Sequence, residues 1–372
     1  MYLFDELDRT THGPAPHSIS DFGWMNISAD PYAAKVRQFF EEVILRYPKL
    51  KRESLIARFR SEVDSDHRAA LFELIVFAWL EAQDHKVIEV EPSIDGSERH
   101  PDFLVEAPTC QQYYLEVTSK QPKPDPLAAI KDAVNNLCSR LCFDLQWKGQ
   151  PAEPIGVRKV KNRLKEYLRN FDYSSDEASW EAIEVDVQGV KLIFKPSKLK
   201  PKGQEGSMNI GTVIGDAKSV SVKGGLDRLL KRKASRYGRL DKPYLVAVTT
   251  QDFTIGLNEL STALFGTLGM TVQTTGNSVS SQPTRFADGI WRRSNHSWTN
   301  TRLSGVLLFA DVRLTSFARR YPIFMTHPEP SHSVDPDWFK AQTFVVSENE
   351  IVEFKSGERV GAVFDLPEAW PE

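Results

Sequence analysis

The spacing of apolar and polar positions resolves the first third of the chain into elements. Pro31 opens a helical pattern that carries Phe39, Val43 and Ile44 and ends near Tyr47. A short helix is expected from Arg52 to Arg60. The polar stretch Ser61 to His67 then leads into a helix from about His67 to Gln83, with Ser65 or Asp66 as its cap. That helix is apolar nearly all round, which predicts burial on every side. Three segments of strand character follow: Lys86 to Glu91, Asp102 to Glu106 and Tyr113 to Thr118, each short and rich in β-branched or aromatic residues. Residues 1–30, rich in Pro, Ser, Thr and His, read as an irregular leader.

Further on, the pattern predicts a helix from Pro126 to Phe143 and a basic helix from Val157 to Phe171. Ile183–Val187 and Val190–Phe194 flank Gln188-Gly189 as an inserted hairpin. Lys198 to Gly224 reads as a loop. A basic helix, Gly225 to Gly238, precedes the apolar strand Pro243 to Thr249. A helix from Asn258 to Phe265, a Thr/Ser/Gly-rich loop from Thr271 to Pro283 and a strand from Ser304 to Phe309 complete the readable part. Helices interleaved with strands predict an α/β fold. The expected segments are an N-terminal helical segment (1–64), a first core part (65–150), an insertion (151–224), a second core part (225–310) and a C-terminal extension (311–372).

Composition bounds the class. The 372 residues are 41% hydrophobic and 26% charged, values of an ordinary globular protein large enough to bury a core. The longest apolar run, Leu74 to Leu80, is too short to span a bilayer. No basic start or long apolar stretch opens the chain, so neither a secretory signal nor a membrane partner is expected, and the location expected is cytoplasmic. Cys110, Cys138 and Cys142 are too few for a disulfide framework and are expected as reduced thiols. Net charge is −3, but Lys191 to Lys242 holds 14 Lys or Arg against 4 Asp or Glu, a stretch that suits phosphate.

Chemistry concentrates in residues 65–150. Glu73 interrupts the buried helix on the face of Ala69, Phe77 and Leu80, and a buried carboxylate needs a partner or a metal. A structural glutamate paired with an arginine such as Arg68 is the plainer alternative. On the following strands, Asp102 shares a face with Leu104, and Glu116 shares one with Thr118 and Lys120. Two carboxylates on adjacent strands can hold a hard cation through oxygen. Three acids in one pocket also repel, so at least one should hold its proton unusually tightly.

The order of parts resembles the PD-(D/E)XK nuclease superfamily: a helix with a buried Glu, then a strand, a Pro101-Asp102 strand, a Glu116-Val117-Thr118 strand and a helix. The resemblance covers residues 65–150 and extends to 225–250. It implies a restriction-endonuclease-like core, a mixed central sheet flanked by helices, and hydrolysis of nucleic-acid phosphodiesters with Mg²⁺ or Mn²⁺, DNA being the expected substrate ahead of RNA. The implied active site comprises Glu73, Asp102, Glu116, Thr118, Lys120 and Lys233. The metal ligands would be Asp102, Glu116 and a carbonyl near Val117, with Glu73 holding a second ion or orienting water. Such activities belong to bacterial defence or DNA processing.

The sequence departs from the family at Thr118, where the motif has lysine. Lys120 is one substitute. Lys233 is another, because it sits in the stripe Leu226, Leu230, Lys233, Tyr237, an inward position for a lysine. Lys231, Arg232 and Arg236 fall on other faces and read as ordinary surface or phosphate-contacting charges. A catalytically inactive nucleic-acid-binding module on the same fold, or a structural or assembly protein, are the alternatives.

The remaining candidates point away from chemistry. Cys138 and Cys142, at helical i, i+4 spacing, lack a second ligand pair for zinc. His327 and His332 flank a Pro-rich loop and read as structural. Ser219 to Gly225 contains no Walker pattern. Trp291, Arg292, Arg293, His296 and Trp298 form a basic, aromatic patch that could stack on bases, but a Trp-containing core strand bearing exposed arginines is the commoner explanation.

Overall fold

Pro31 at the first turn of a helix fixes the backbone angle that a helix needs where its amide has no partner, and the second helix of the chain starts there. A computed structural model describes residues 2–120, 125–137, 139–149, 155–201, 209–215, 223–251, 255–275, 278–294, 297–347 and 350–372. Four helices come first: α1 (Asp21–Ile27), α2 (Pro31–Arg46), α3 (Lys49–Phe59) and α4 (Asp64–Glu81). The leader is not irregular throughout. Leu3, Phe4, Phe22, Trp24 and Met25 are buried, so its few large apolar side chains dock on the core although their spacing is too sparse to announce a helix. The α4 helix begins before Ser65, after Val63, and no side chain caps it.

The strands β1 (Lys86–Val90), β2 (Phe103–Glu106) and β3 (Gln112–Lys120) form an antiparallel meander. The chain then builds a separate compact unit, residues 12–20 with 123–220. Here the expected helix from Pro126 to Phe143 is shorter. It ends as α5 (Ala128–Asn135), and β4 (Leu141–Lys148) takes over. Leu141, Phe143 and Leu145 alternate into this unit's core, the period of a strand. Cys142 is therefore on a strand, not a helix, and Cys138 lies outside the described residues. Helix α6 (Val157–Asn170), β5 (Ile183–Val187), β6 (Val190–Leu199) and β7 (Ile210–Gly215) complete the unit, with sheet order β5-β6-β4-β7. The stretch read as a loop from Lys198 to Gly224 thus contains the end of β6 and all of β7. Its residues 202–208 and 216–222 lie outside the described residues.

The chain returns to the first unit (2–11, 21–122 and 221–372) with α7 (Lys223–Ala234), β8 (Tyr244–Thr250) and α8 (Leu257–Phe265). The expected loop from Thr271 to Pro283 is instead a ribbon, β9 (Leu268–Thr275) against β10 (Ser278–Arg285). Its Thr- and Ser-rich strands stand apart from the main sheet with Leu268, Met270 and Val272 exposed, so no inward apolar alternation marks it. Short β11 (Arg293–Ser294) and β12 (Ser297–Trp298) precede β13 (Leu303–Ala310), β14 (Ile323–Thr326), β15 (Gln342–Ser347), β16 (Glu350–Lys355) and α9 (Val360–Val363).

Eight strands form the main sheet in the order β1-β2-β3-β8-β13-β14-β15-β16. It is mixed, with β3, β8 and β13 parallel and β1, β2 and β3 antiparallel. Strands buried on both faces read as continuous apolar runs, and every residue of β8 is buried. Leu245 and Ala247 pack with α1 to α4, while Tyr244, Val246 and Val248 pack with α7 and α8. The unit is thus an α/β fold, a mixed central sheet with helices on both faces. Among the described residues no helix is long and apolar enough to cross a membrane.

Candidate active site

Strand register decides which acids meet. Phe103 pairs with Leu115 across β2 and β3, so Asp102, one residue before, stands opposite Glu116. Glu116 is in register with Val246 of β8, whose side chain faces the α7 layer, and alternation along the strand sends Glu116 the same way. There it is buried, 2% exposed, and a carboxylate in that position needs donors. Helix α7 and the turn after it provide them. Lys233 Nζ pairs with Glu116 Oε1, Arg236 Nη1 reaches the same oxygen at 2.8 Å, and the Tyr237 hydroxyl contacts Oε2. The Tyr237 hydroxyl also lies 2.8 Å from the His100 carbonyl. Burial, then the Glu116 hydrogen bond, hold that phenol protonated far above its ordinary range.

Asp102 occupies the end of β2. Its carbonyl accepts the Glu91 amide at 2.9 Å, and its Oδ2 accepts the Val117 amide at 2.6 Å. A side-chain oxygen thus continues the ladder where the strand's own carbonyls stop. Asp102 receives no cation of its own among the described residues. Burial, then the charge of Glu116, then that of Glu73, push its carboxyl up to about 8. The tightly held proton expected of one acid in the group belongs to Asp102.

Glu73 comes from the other side of the sheet. It is 6% exposed, accepts from the Tyr47 hydroxyl at 2.6 Å and pairs with Arg58 Nη2 at 2.8 Å. Its partner is Arg58 of α3, not Arg68, which pairs with Asp21 and Asp64. Glu73 is near enough to act on Asp102 through its charge, but it reaches out from the α4 layer with both oxygens engaged. Asp102 feels the charge of both Glu116 and Glu73, and among the described residues the ion pairs are made by those two and not by Asp102.

The two candidate lysines differ. Lys233 is 7% exposed and ion-paired to Glu116. Lys120 lies on the same strand face as Glu116 and Thr118, beside the start of α7. A Cβ on Gly225 would lie 2.6 Å from Lys120 Nζ, so the bare glycine leaves it room. Arg236, expected at the surface, instead binds Glu116. Tyr237 stands in the apolar stripe that singled out Lys233, but it lies beyond the end of α7, so that stripe was only a partial signal for it. Nothing in the local sequence of Tyr47 or Arg58 marks them as partners of Glu73.

A hard cation takes oxygen donors, and Mg²⁺ typically uses one or two carboxylates while keeping several waters. Asp102 and Glu116 supply that minimum. Among the described residues no group of three or more His, Cys, Asp or Glu side chains is arranged as a metal cage. The described residues thus offer no closed cage, and an ion between Asp102 and Glu116 would have to compete with the donors already on both Glu116 oxygens. Elsewhere, both ring nitrogens of His327 meet backbone groups, Thr299 O at 3.1 Å and the Glu329 amide at 3.0 Å, and His332 Nε2 lies 2.9 Å from Leu240 O. Trp291 is fully buried, with Arg292 and Arg293 exposed; His296 lies outside the described residues. The basic stretch 191–242 falls in both units, with Lys191 paired to Glu184 and Lys242 to Asp241. Comparison of the chain with family models, characterised proteins and solved structures finds no match.

Proposed function

We propose that this chain is a metal-dependent nuclease with a restriction-endonuclease-like core, hydrolysing nucleic-acid phosphodiesters, DNA by preference. The observation that carries the reading is the pairing of Asp102 with Glu116 across β2 and β3, with the Lys233 amine on Glu116. The succession α4, β1, β2, β3, α7, β8 supports the fold assignment. Asp102 and Glu116 would hold Mg²⁺, which when bound lowers the pKa of a water and offsets charge on the phosphate. Asp102 is kept on the Val117 amide, which fixes its carboxyl at the strand end. Lys233, released in part from Glu116, would place its ammonium on a phosphate oxygen as negative charge builds there. Glu73 acts on Asp102 through charge, keeping that carboxyl proton-hungry until a cation arrives.

The test is cleavage of labelled single- and double-stranded DNA and RNA with Mg²⁺ or Mn²⁺. Wild type should cut, and Asp102→Asn should lose at least about a hundredfold, roughly 2.7 kcal/mol of barrier. Equal residual cutting by wild type and Asp102→Asn would assign any activity to a contaminant and overturn the reading. A second reading, nucleic-acid binding without cleavage, is favoured by one observation: both Glu116 oxygens already have donors. It predicts that wild type binds DNA yet cuts nothing with either metal.

A further inference from the structure

Helix α6 carries six cations, Arg158, Lys159, Lys161, Arg163, Lys165 and Arg169, against one acid, Glu166. Their arrangement is more telling than their number. At about 100° per residue, Arg158, Lys161, Lys165 and Arg169 fall within an arc of about 80°. All four are exposed, and none makes an ion pair among the described residues. The acid is spent elsewhere. Glu166 pairs with Arg163 at 2.9 Å, and Lys159 donates to the Asp186 carbonyl at 2.7 Å, both off the stripe. Like charges at i, i+4, here Lys161 with Lys165 and Lys165 with Arg169, destabilise a helix by a few tenths of a kcal/mol each, as does Arg158 near its N-terminus. The stripe is thus locally unfavourable until an anion lies along it.

We infer that the α6 stripe of Arg158, Lys161, Lys165 and Arg169 is a phosphate-backbone contact for double-stranded nucleic acid. From Arg158 to Arg169 the helix rises about 16 Å, over which one strand of a duplex presents about five phosphates. A regular polyanion matches a regular row of cations. An anionic membrane does not fit, because the opposite face of α6 is spoken for. Val160 and Leu164 are fully buried, and Tyr167 and Leu168 pack against the same core, so no apolar face is left to enter lipid. The inference rests on nucleic acid being the partner in the proposed function, and not on cleavage.

The experiment measures binding of the full-length protein to a short labelled DNA duplex by anisotropy, in chelator so that nothing is cut, across a salt series. The variant R158Q/K161Q/K165Q/R169Q should bind more weakly, and its log–log salt slope should be shallower by about 3 to 4. Between about 50 and 200 mM salt, wild type should then lose on the order of 100-fold more affinity than the variant. The control K159Q/R163Q should keep nearly the wild-type slope, and circular dichroism should report equal folding, since all six residues are surface cations. An unchanged slope in the fourfold variant, or an equal loss per charge in the control, would overturn the stripe while leaving the nuclease reading intact. Binding to anionic vesicles in preference to duplex would overturn it as well. Conversely, a variant that loses binding while wild type never cuts would support the stripe and sink hydrolysis alone.

Discussion

Replacing Asp102 by Asn should stabilise the metal-free protein, and the gain should grow with pH. The carboxyl is pushed up to about 8 by burial, Glu116 and Glu73, so the folded state binds its proton more tightly than the unfolded chain does. For an acid raised in this way, its contribution is most favourable below the ordinary carboxyl range. It is withdrawn as pH rises from about 4 to about 8, the reverse of a salt-bridged aspartate. Each pH unit in that interval removes about 1.4 kcal/mol at most, which sets a ceiling of roughly 5 to 6 kcal/mol. Asp102 keeps partial access to solvent, and the Val117 amide and the charge of Lys233 favour its ionised form, so about 2 kcal/mol is the expectation. Asparagine keeps an oxygen for the Val117 amide and removes the repulsion. At pH 9 in chelator, Asp102→Asn should melt about 3 °C above wild type, and at pH 5 the two should nearly coincide. With Mg²⁺ the order should reverse, because the ion stabilises only the protein that binds it. Calorimetric melts from pH 5 to 9 decide the matter. A variant that melts below wild type by the same margin at every pH would show that Asp102 is an ordinary satisfied carboxylate.

The outer acids should behave oppositely. Glu116→Gln leaves buried Lys233 without its carboxylate and should cost about 3 kcal/mol, read from urea denaturation midpoints; a neutral result would mean that Lys233 swings out to water at no cost. Arg58→Ala leaves buried Glu73 with only the Tyr47 hydroxyl and should cost about 2 kcal/mol, since Arg58 is itself partly exposed; no loss would show that Tyr47 alone suffices.

What could be read from the sequence was what lies close along the chain. The α4 helix and the first three strands follow from period and composition, and Asp102 and Glu116 stand out because Pro-Asp and Glu-x-Thr sit on consecutive strands. Lys233 was legible for a different reason: it breaks an apolar stripe. The long-range partners were not. Arg58 in α3 and Tyr47 at the end of α2 both reach Glu73, and nothing in their own windows pairs them with it. Arg236 falls outside the stripe by angle, yet it lies beyond the last residue of α7, where helical angles no longer apply. Strand β4 was hidden because the Asn135-Asn136 helix stop is weak and the apolar residues before it suit a helix. The ribbon β9–β10 was hidden because its strands pair only with each other, and Leu268, Met270 and Val272 stay exposed.

Thr118 is where the motif departs from the pattern, and on the proposed reading an amine from elsewhere would have to stand in for the missing lysine. The Thr118 Cα pairs with Val248 of β8, on the α7 side of the sheet, one pleat beyond Glu116. A lysine there would run along the strand and deliver its amine beside Glu116. In this chain the amine arrives instead from α7, because Leu226 and Leu230 seat that helix on the same face and Lys233 follows one turn on. If amine position, rather than the residue that supplies it, is what matters, the two sites are interchangeable. Lys233→Ala should lower cleavage at matched saturation by at least about tenfold, or 1.4 kcal/mol. Adding Thr118→Lys to that variant should recover part of the loss, whereas Thr118→Lys alone should change little. Lys231→Ala should affect only salt-dependent binding. The cycle distinguishes position from mere charge. If Thr118→Lys fails to recover activity while Lys120→Ala abolishes it, the working amine belongs to Lys120, and Lys233 serves only to neutralise Glu116.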